Sequence, residues 1–265
     1  MPFEGLIDTH CHLDAAEFGN DVAGVLQRAR AAGVTGFIVP SVDVASFDAV
    51  AALSAEHADV RHALGIHPLF VAQAHEGDLD LLAQHLAEGR AIAIGEIGLD
   101  HHVSDIDPEL QRQFFVAQLK LARRFGLPVI LHVRRAVDAI LRELRRIEVP
   151  GGIAHAFNGS RQQADIFRAM GFKLGFGGSS TFAGSTRIRR LAAELPADAL
   201  VLETDAPDIR PAWAQDVPNE PGNLPGIAAV IAELRQTSVE QLARETAHNA
   251  RSVFPGLAGG VPAAR

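Results

Sequence analysis

The chain has 265 residues, of which 48% are hydrophobic and 21% charged, and its formal net charge at pH 7 is −8. This composition, with no low-complexity block, is typical of a globular protein and excludes a disordered one. The acidic balance excludes the global basic surface of a non-specific nucleic-acid binder. A polyanionic partner would therefore have to be held by a local positive site, which bound cations can supply.

The amino-terminal sequence MPFEG lacks a basic region followed by an apolar stretch. No apolar stretch reaches the roughly 18 residues that cross a bilayer. We therefore expect a cytoplasmic protein without a membrane partner, and we expect it to be a monomer. The single cysteine, Cys11, cannot form an internal disulfide, which agrees with a reducing compartment.

Eight short β-rich runs alternate with segments whose apolar residues have helical spacing. In chain order the runs are GLIDTHCHL, GFIVPSV, RHALGIHP, AIAIGEIGLD, LPVILHVR, GGIAHAF, FKLGFGG and ALVLETDAP. The helical segment PELQRQFFVAQLKLARRFG opens with Pro108 and closes near Gly126, as helices tend to do. Eight such units predict an α/β fold of the TIM (β/α)8 barrel type, with a doubly wound open sheet as the alternative.

The order of residues within the runs favours the barrel over the open sheet. Most runs start apolar and finish polar, as a packed interior that opens onto a functional carboxyl-terminal face requires. No linker divides the chain, so we expect one barrel domain over residues 1–257. The Gly- and Pro-rich residues 258–265 are expected to form a loose tail.

His10 and His12 are one residue apart at the end of the first run. In a strand their side chains point to the same side, so the two imidazoles can share a metal. Metal-capable side chains recur where later runs end. The full set is His10, His12, His67, Glu96, His132, His155 and Asp205. A lone histidine at a strand end is usually a hydrogen-bonded structural residue, but the convergence of the whole set favours a metal site.

Imidazoles together with two carboxylates suffice for two divalent cations that share a bridging ligand, and Zn, Mn and Mg are the candidate metals. Two adjacent cations can produce hydroxide near neutral pH, so this set predicts a binuclear hydrolase. Many barrel hydrolases bridge their metals with a carboxylated lysine. Here Lys120 falls in a predicted helix and Lys173 near the start of the seventh run, so Glu96 is the predicted bridge.

Six blocks, in order, resemble the TatD family of metal-dependent deoxyribonucleases, which has an amidohydrolase-type barrel. The blocks span about residues 6 to 254 and are IDTHCHLD, GIHP, GEIGLD, PVILHVRRAVD, HAFNG and LVLETDAPD. The combination of GFGGSSTF with ETDAPD is most similar to the YjjV-type branch. The resemblance implies hydrolysis of phosphodiester bonds in single-stranded DNA or RNA from the 3′ end.

The resemblance also implies roles for the individual residues. One metal would be bound by His10, His12, Glu96 and Asp205, and the second by Glu96, His132 and His155. Asp205 would orient or deprotonate the attacking water, and His67 would lie near the scissile phosphate and handle substrate or protons. Asp205, Glu96 and His67 are thus the predicted catalytic residues.

Arg134 lies just beyond His132 and is predicted to bind substrate, because a guanidinium fork matches phosphate oxygens. Arg135 follows it, and His101 stands where the family often has an aromatic residue. A solvent-facing position is the simpler interpretation of both Arg135 and His101.

Two other functions stay open. An activated water attacks carbonyl carbon as well as phosphorus, so an amide or ester hydrolase, such as a D-aminoacyl-tRNA deacylase, is one alternative. A metal-binding barrel without catalysis is the other. The chain has no G-x-S-x-G, no G-x-x-x-x-G-K-[ST] and no G-x-G-x-x-G after a strand, which argues against serine hydrolases, P-loop proteins and dinucleotide binders.

Overall fold

Eight parallel strands form one sheet whose order follows the chain, in a computed structural model that describes residues 5–257. The strands are Leu6–Asp8 (β1), Val34–Pro40 (β2), Val60–Leu64 (β3), Ala93–Asp100 (β4), Val129–Arg134 (β5), Gly152–Ala154 (β6), Phe172–Phe176 (β7) and Leu200–Leu202 (β8). The predicted (β/α)8 barrel is confirmed, and the open-sheet alternative is wrong. The predicted tail at 258–265 lies outside the described residues, and the domain boundary at 257 stays a prediction.

The α-helices of residues 5–257 are Val22–Ala31 (α1), Phe47–Glu56 (α2), Glu76–Ala87 (α3), Pro108–Phe125 (α4), Val137–Arg146 (α5), Arg161–Ala169 (α6), Thr186–Glu194 (α7), Leu224–Arg235 (α8) and Val239–Val253 (α9). The longest, α4, has the ends that its sequence predicts. The Asp107 side chain accepts from the Glu109 amide, Pro108 occupies the first turn, and Gly126 ends the helix at φ 64°. None of the described helices is long and apolar enough to cross a bilayer.

The barrel closes where β8 meets β1, and polar side chains take part in the closure. The Thr9 amide donates to the Leu202 carbonyl at 3.0 Å. The Asp8 carboxylate accepts from the Thr204 hydroxyl at 2.6 Å and from the Thr204 amide at 3.0 Å. These bonds join the carboxyl ends of the first and last strands, which are almost two hundred residues apart in the chain.

The barrel interior is filled by a layer of small and branched apolar side chains. They are Ile7, Ile38, Ala63, Ala93, Ile130, Ile153 and Val201. Phe254, just after α9, packs against this layer and is fully buried. Asn249 of α9 donates to the carbonyls of Ala197 and Leu200 at the start of β8. The helix therefore closes the amino-terminal end of the barrel, and the carboxyl-terminal end is left for polar groups.

His62 is a buried histidine on β3, away from the carboxyl-terminal face. It is 4% exposed, and its Nδ1 has no hydrogen-bond partner within residues 5–257. Burial and the nearby Arg90 lower the pKa of His62 from 6.5 to about 4. The folded protein therefore keeps this ring neutral in a pH range where the unfolded chain protonates it.

This difference predicts a pH-dependent loss of stability. Between about pH 6.5 and pH 4, His62 binds a proton in the unfolded chain but not in the folded one. The free energy of unfolding therefore decreases as the pH is lowered, by about 3 kcal/mol at most from this group. His62→Leu removes the effect. Urea unfolding of metal-free wild type and variant at pH 7.5, 6 and 5 measures it, and a stability difference independent of pH would contradict it.

Candidate metal centre

The predicted site residues come together at the carboxyl ends of the strands. His10 and His12 follow β1, His67 follows β3, and His155 follows β6. Three groups of side chains each offer ligand atoms within 4.8 Å of one another. The groups are His10 with His12 and Glu96, His10 with His155 and Asp205, and His67 with Glu96 and His132. The structure therefore gathers all seven predicted residues into candidate metal-binding groups.

Glu96 lies between two pairs of imidazoles, and each of its oxygens faces one pair. Oε2 is 3.1 Å from His10 Nε2 and 3.5 Å from His12 Nε2. Oε1 is 2.9 Å from His132 Nδ1 and 3.4 Å from His67 Nε2. One carboxylate thus reaches both groups, which is the geometry that a bridging ligand needs.

Asp205 follows β8 and faces the imidazoles of His10 and His155. Its Oδ1 is 3.5 Å from His10 Nε2 and 3.5 Å from His155 Nε2. The residue has φ 58°, a conformation that non-glycine residues rarely adopt and that clusters at functional sites. The Asp205 amide donates to the His10 carbonyl at 2.9 Å, which holds the loop against β1.

The groups divide the histidines differently from the ligand sets that the resemblance implied. The His155 ring stacks on the His10 ring, with 3.7 Å between centroids, and joins His10 and Asp205. His67, instead of His155, lies with Glu96 and His132. The assignment of His155 to one metal or the other stays a prediction.

The donor atoms fit a divalent cation. His10 Nε2 lies 3.2 Å from His12 Nε2, and His132 Nδ1 lies 2.9 Å from Glu96 Oε1. The buried Nδ1 of His10 has no hydrogen-bond partner in the described part of the chain. Imidazole nitrogens and carboxylate oxygens face one another here with few hydrogen-bond donors between them. Such a set of ligand atoms suits Zn, Mn or Mg.

Both carboxylates of the centre are ionised at neutral pH, the form that binds a cation. Burial alone raises the pKa of Glu96, but His10 and His67 outweigh it and hold the pKa well below its usual range. Burial likewise opposes ionisation of Asp205, and the neighbouring His155 and His10 lower its pKa. The imidazoles thus compensate the cost of burying two charges.

Two further carboxylates support the histidines, and the sequence analysis missed both. His132 Nε2 lies 3.0 Å from Asp100 Oδ2, and His155 Nδ1 lies 3.0 Å from Glu203 Oε1. A carboxylate behind one ring nitrogen leaves the other nitrogen free to bind a metal. Both residues stand in the GEIGLD and LVLETD blocks, so their position near predicted ligands was a usable signal.

Gly175 on β7 makes room for the Glu203 carboxylate. A Cβ at this position would lie 2.1 Å from Glu203 Oε2. A larger residue here would therefore displace the carboxylate that faces His155. The Ala156 amide donates to Glu203 Oε1 at 2.6 Å and holds it in place.

His67 differs from the other histidines in the partner of its second ring nitrogen. Its Nδ1 accepts a hydrogen bond from the Leu69 amide at 3.1 Å. A neutral imidazole that accepts at Nδ1 carries its proton on Nε2, the atom that faces Glu96 and His132. This bond favours the predicted substrate or proton role of His67 over a ligand role.

Arg134 lines the cavity above the centre. The cavity has a volume of about 650 Å³, and Glu96, His132 and Asp205 lie in its wall. The Arg134 side chain is 53% exposed, and its guanidinium lies 3.9 Å from Asp100. Its predicted role in substrate binding therefore has a suitable position at the mouth of the site.

The barrel with imidazoles and carboxylates at its carboxyl-terminal face is that of metal-dependent hydrolases. A family model described as TatD related DNase matches residues 7–255. YjjV of Escherichia coli K12, described as an uncharacterized metal-dependent hydrolase, is 39% identical over 251 residues, covering 94% of this chain and 97% of YjjV. The chain belongs to the TatD family.

Two further comparisons agree with this assignment. The 3′-5′ ssDNA/RNA exonuclease TatD of Erwinia billingiae is 33% identical over 258 residues, covering 94% of this chain and 98% of that protein. The crystal structure of E. coli YjjV, a TatD homolog, matches with a TM-score of 0.90 at 38% identity and covers 94% of this chain and 98% of that one. The predicted family and the prediction of a metal-dependent hydrolase are confirmed, and the non-catalytic alternative is set aside.

The position of Glu96 predicts the effect of its removal on metal content. Because its two oxygens face both pairs of imidazoles, Glu96→Ala should lower the bound metal below two ions per chain. Elemental analysis after saturation with Mn or Zn and gel filtration measures this, with the exposed Glu240→Ala as the matched control. Two ions retained in Glu96→Ala would refute the bridging assignment.

The carboxylate behind His155 predicts a positioning effect. Glu203→Gln keeps the shape of the side chain but removes the charge that orients the ring, so metal affinity should fall by about 10- to 100-fold. Competition with a chromogenic chelator measures the affinity, and circular dichroism checks the fold. Unchanged affinity would show that His155 is not oriented by Glu203.

Proposed function

We propose that the protein hydrolyses phosphodiester bonds of single-stranded DNA or RNA from the 3′ end, with two divalent cations held around Glu96. The observation that carries this proposal is the shared carboxylate, whose oxygens each face a separate pair of imidazoles. Two cations across one bridge suit the displacement of an oxygen from phosphorus. The name of the TatD exonuclease of Erwinia billingiae supports the same substrate.

The ligand sets follow from the contacts of each ring. His10, His12, Glu96 and Asp205 would hold one cation. Glu96 and His132 would hold the other, with His155 completing one of the two sets. When bound, the cations lower the pKa of water and neutralise charge that develops on the phosphate oxygens.

The exposure and charge of Asp205 support a role as the general base. It is partly exposed to the cavity and carries a charge at neutral pH. Its carboxylate accepts the proton of the attacking water, and the left-handed backbone and the bond to His10 hold it in that orientation. The oxygen of that water would form a bond to phosphorus as the bond between phosphorus and the leaving oxygen breaks.

His67 and Arg134 act on the phosphate from the cavity wall. The proton on His67 Nε2 can be donated to a phosphate or leaving oxygen, because Nδ1 is committed to the Leu69 amide. The Arg134 guanidinium donates to the non-bridging oxygens. Phe70 is 37% exposed at the same mouth and offers a ring on which a base can stack.

One experiment separates this function from hydrolysis of an ester or amide. Protein loaded with Mn, Mg or Zn is incubated with 5′-labelled single-stranded DNA and RNA and, in parallel, with D-aminoacyl-tRNA. We expect stepwise shortening from the 3′ end, reduced at least about 100-fold in Asp205→Asn because the base is lost. The exposed Asp216→Asn is the matched control.

Other results would change the proposal in distinct ways. Intact oligonucleotides beside released amino acid would replace the nuclease with the deacylase at the same metal centre. Shortening from the 5′ end would overturn the proposed polarity. Equal rates for Asp205→Asn and Asp216→Asn would remove Asp205 from the role of base.

A further inference from the structure

A second cavity, of about 730 Å³, adjoins the one above the metal centre. We call it the arginine cleft and define it by Arg134, Arg135, Arg187, His101, His102 and Asn158. Val133, Arg134 and Asn158 line both cavities, so the two are continuous. A ligand that reaches the metal centre can therefore extend into the arginine cleft.

We propose that the arginine cleft binds the backbone phosphates of a single-stranded nucleic acid beyond the bond that is cut. This inference rests on the proposed nuclease function and adds the path of the strand. It assigns phosphate contacts to Arg135 and Arg187, which the sequence analysis did not place in the site.

The guanidinium groups of Arg135 and Arg187 are not neutralised by neighbours. Both residues are exposed, and within residues 5–257 neither has a carboxylate at ion-pair distance. Several other exposed arginines do have such a partner, for example Arg28 and Arg161. Arg187 is instead held by the Asn158 side-chain oxygen at 2.6 Å, which orients its remaining donors.

The backbone adds to the positive character of the cleft. Val137, the first residue of α5, lines it, and that helix starts without a side-chain cap. Its first amides carry no side-chain cap, and the helix dipole favours negative charge there. The Asp138 carboxylate in this first turn also lines the cleft, where it accepts a hydrogen bond from Gln163 Nε2 at 2.8 Å, so the positive charge comes mainly from the arginines. Arg135, two residues earlier, has φ 54°, an uncommon conformation for arginine that marks a constrained segment.

The opposite side of the metal cavity is acidic. Asp14 and Glu17 follow β1, Asp208 follows β8, and all three line the cavity there. In an eight-stranded barrel, β1 and β8 lie across from β4 and β5, the strands that precede or carry His101, His102, Arg134 and Arg135, whereas Asn158 follows β6 and Arg187 follows β7. A polyanion is therefore repelled on one side of the centre and attracted on the other.

Several separate cations suit a repeating polyanion better than a single small anion. Arg134, Arg135 and Arg187 come from β5, the turn after it and α7, so they are spread along the cleft. One carboxylate or phosphate group cannot engage all three, whereas successive phosphates of a strand can. This arrangement also explains how a chain of net charge −8 holds nucleic acid.

The test measures binding separately from cleavage. The double variant Arg135→Ala with Arg187→Ala is made in the Asp205→Asn background, loaded with Mn, and titrated into a fluorescent single-stranded DNA of about ten nucleotides. Arg123→Ala with Arg244→Ala is the matched control, since both arginines are exposed, lie outside both cavities and change the net charge equally.

We expect the Kd from fluorescence anisotropy to rise about tenfold relative to the control, and the slope of log K against log salt to fall by about 1.4, for two lost phosphate contacts. The affinity for a dinucleotide should change much less, so the ratio of the two affinities falls. Lysine at both positions should restore most of the binding, which a purely structural defect would not allow.

Equal Kd values for the double variant and the control would overturn the arginine cleft. The nuclease assay on the active protein is read independently. Arginine-dependent binding without cleavage would support the proposed cleft and overturn the nuclease function. Cleavage with arginine-independent binding would support the nuclease function and overturn the cleft.

Discussion

The buried Glu96 carboxylate keeps its charge because imidazoles from several strands surround it. Taking such a charge out of water costs several kcal/mol unless it is compensated nearby. Here the compensation comes from imidazoles on or just after β1, β3 and β5. The positions of these strands relative to Glu96 must therefore be fixed. The apolar interior layer, the cover by α9 and the bonds of Asp8 to Thr204 supply that rigidity.

In each histidine of the centre, the partner of the outer ring nitrogen determines whether the inner nitrogen carries a proton or can bind a metal. Asp100 behind His132 and Glu203 behind His155 leave the inner nitrogens free for a cation, whereas the Leu69 amide behind His67 leaves a proton on its inner nitrogen. In the proposed mechanism, chemically identical side chains would thus divide into ligands and a proton donor. Gly175 belongs to this arrangement because any side chain there would displace Glu203.

The uneven distribution of charge is compatible with the polyanionic substrate that we propose for this acidic protein. Electrostatic steering depends on the local field at a cleft, not on the net charge of the whole chain. The acidic rim near β1 and β8 and the arginine cleft across the barrel give the site a direction. On this proposal, a strand that enters from the arginine side would meet Arg134 next to the metal centre.

The eight βα units, the ends of α4 and the seven residues at the strand ends could be predicted from the sequence, because alternation, capping and strand-end polarity are local patterns. The pairing of the histidines around the oxygens of Glu96, and the positions of Asp100 and Glu203 behind them, could not. The contact of Arg187 with Asn158, 29 residues away, could not be predicted either. These contacts join segments that are distant in the chain, and strand pairing and barrel closure bring them together. A helix-borne arginine carries no local signal for such a position.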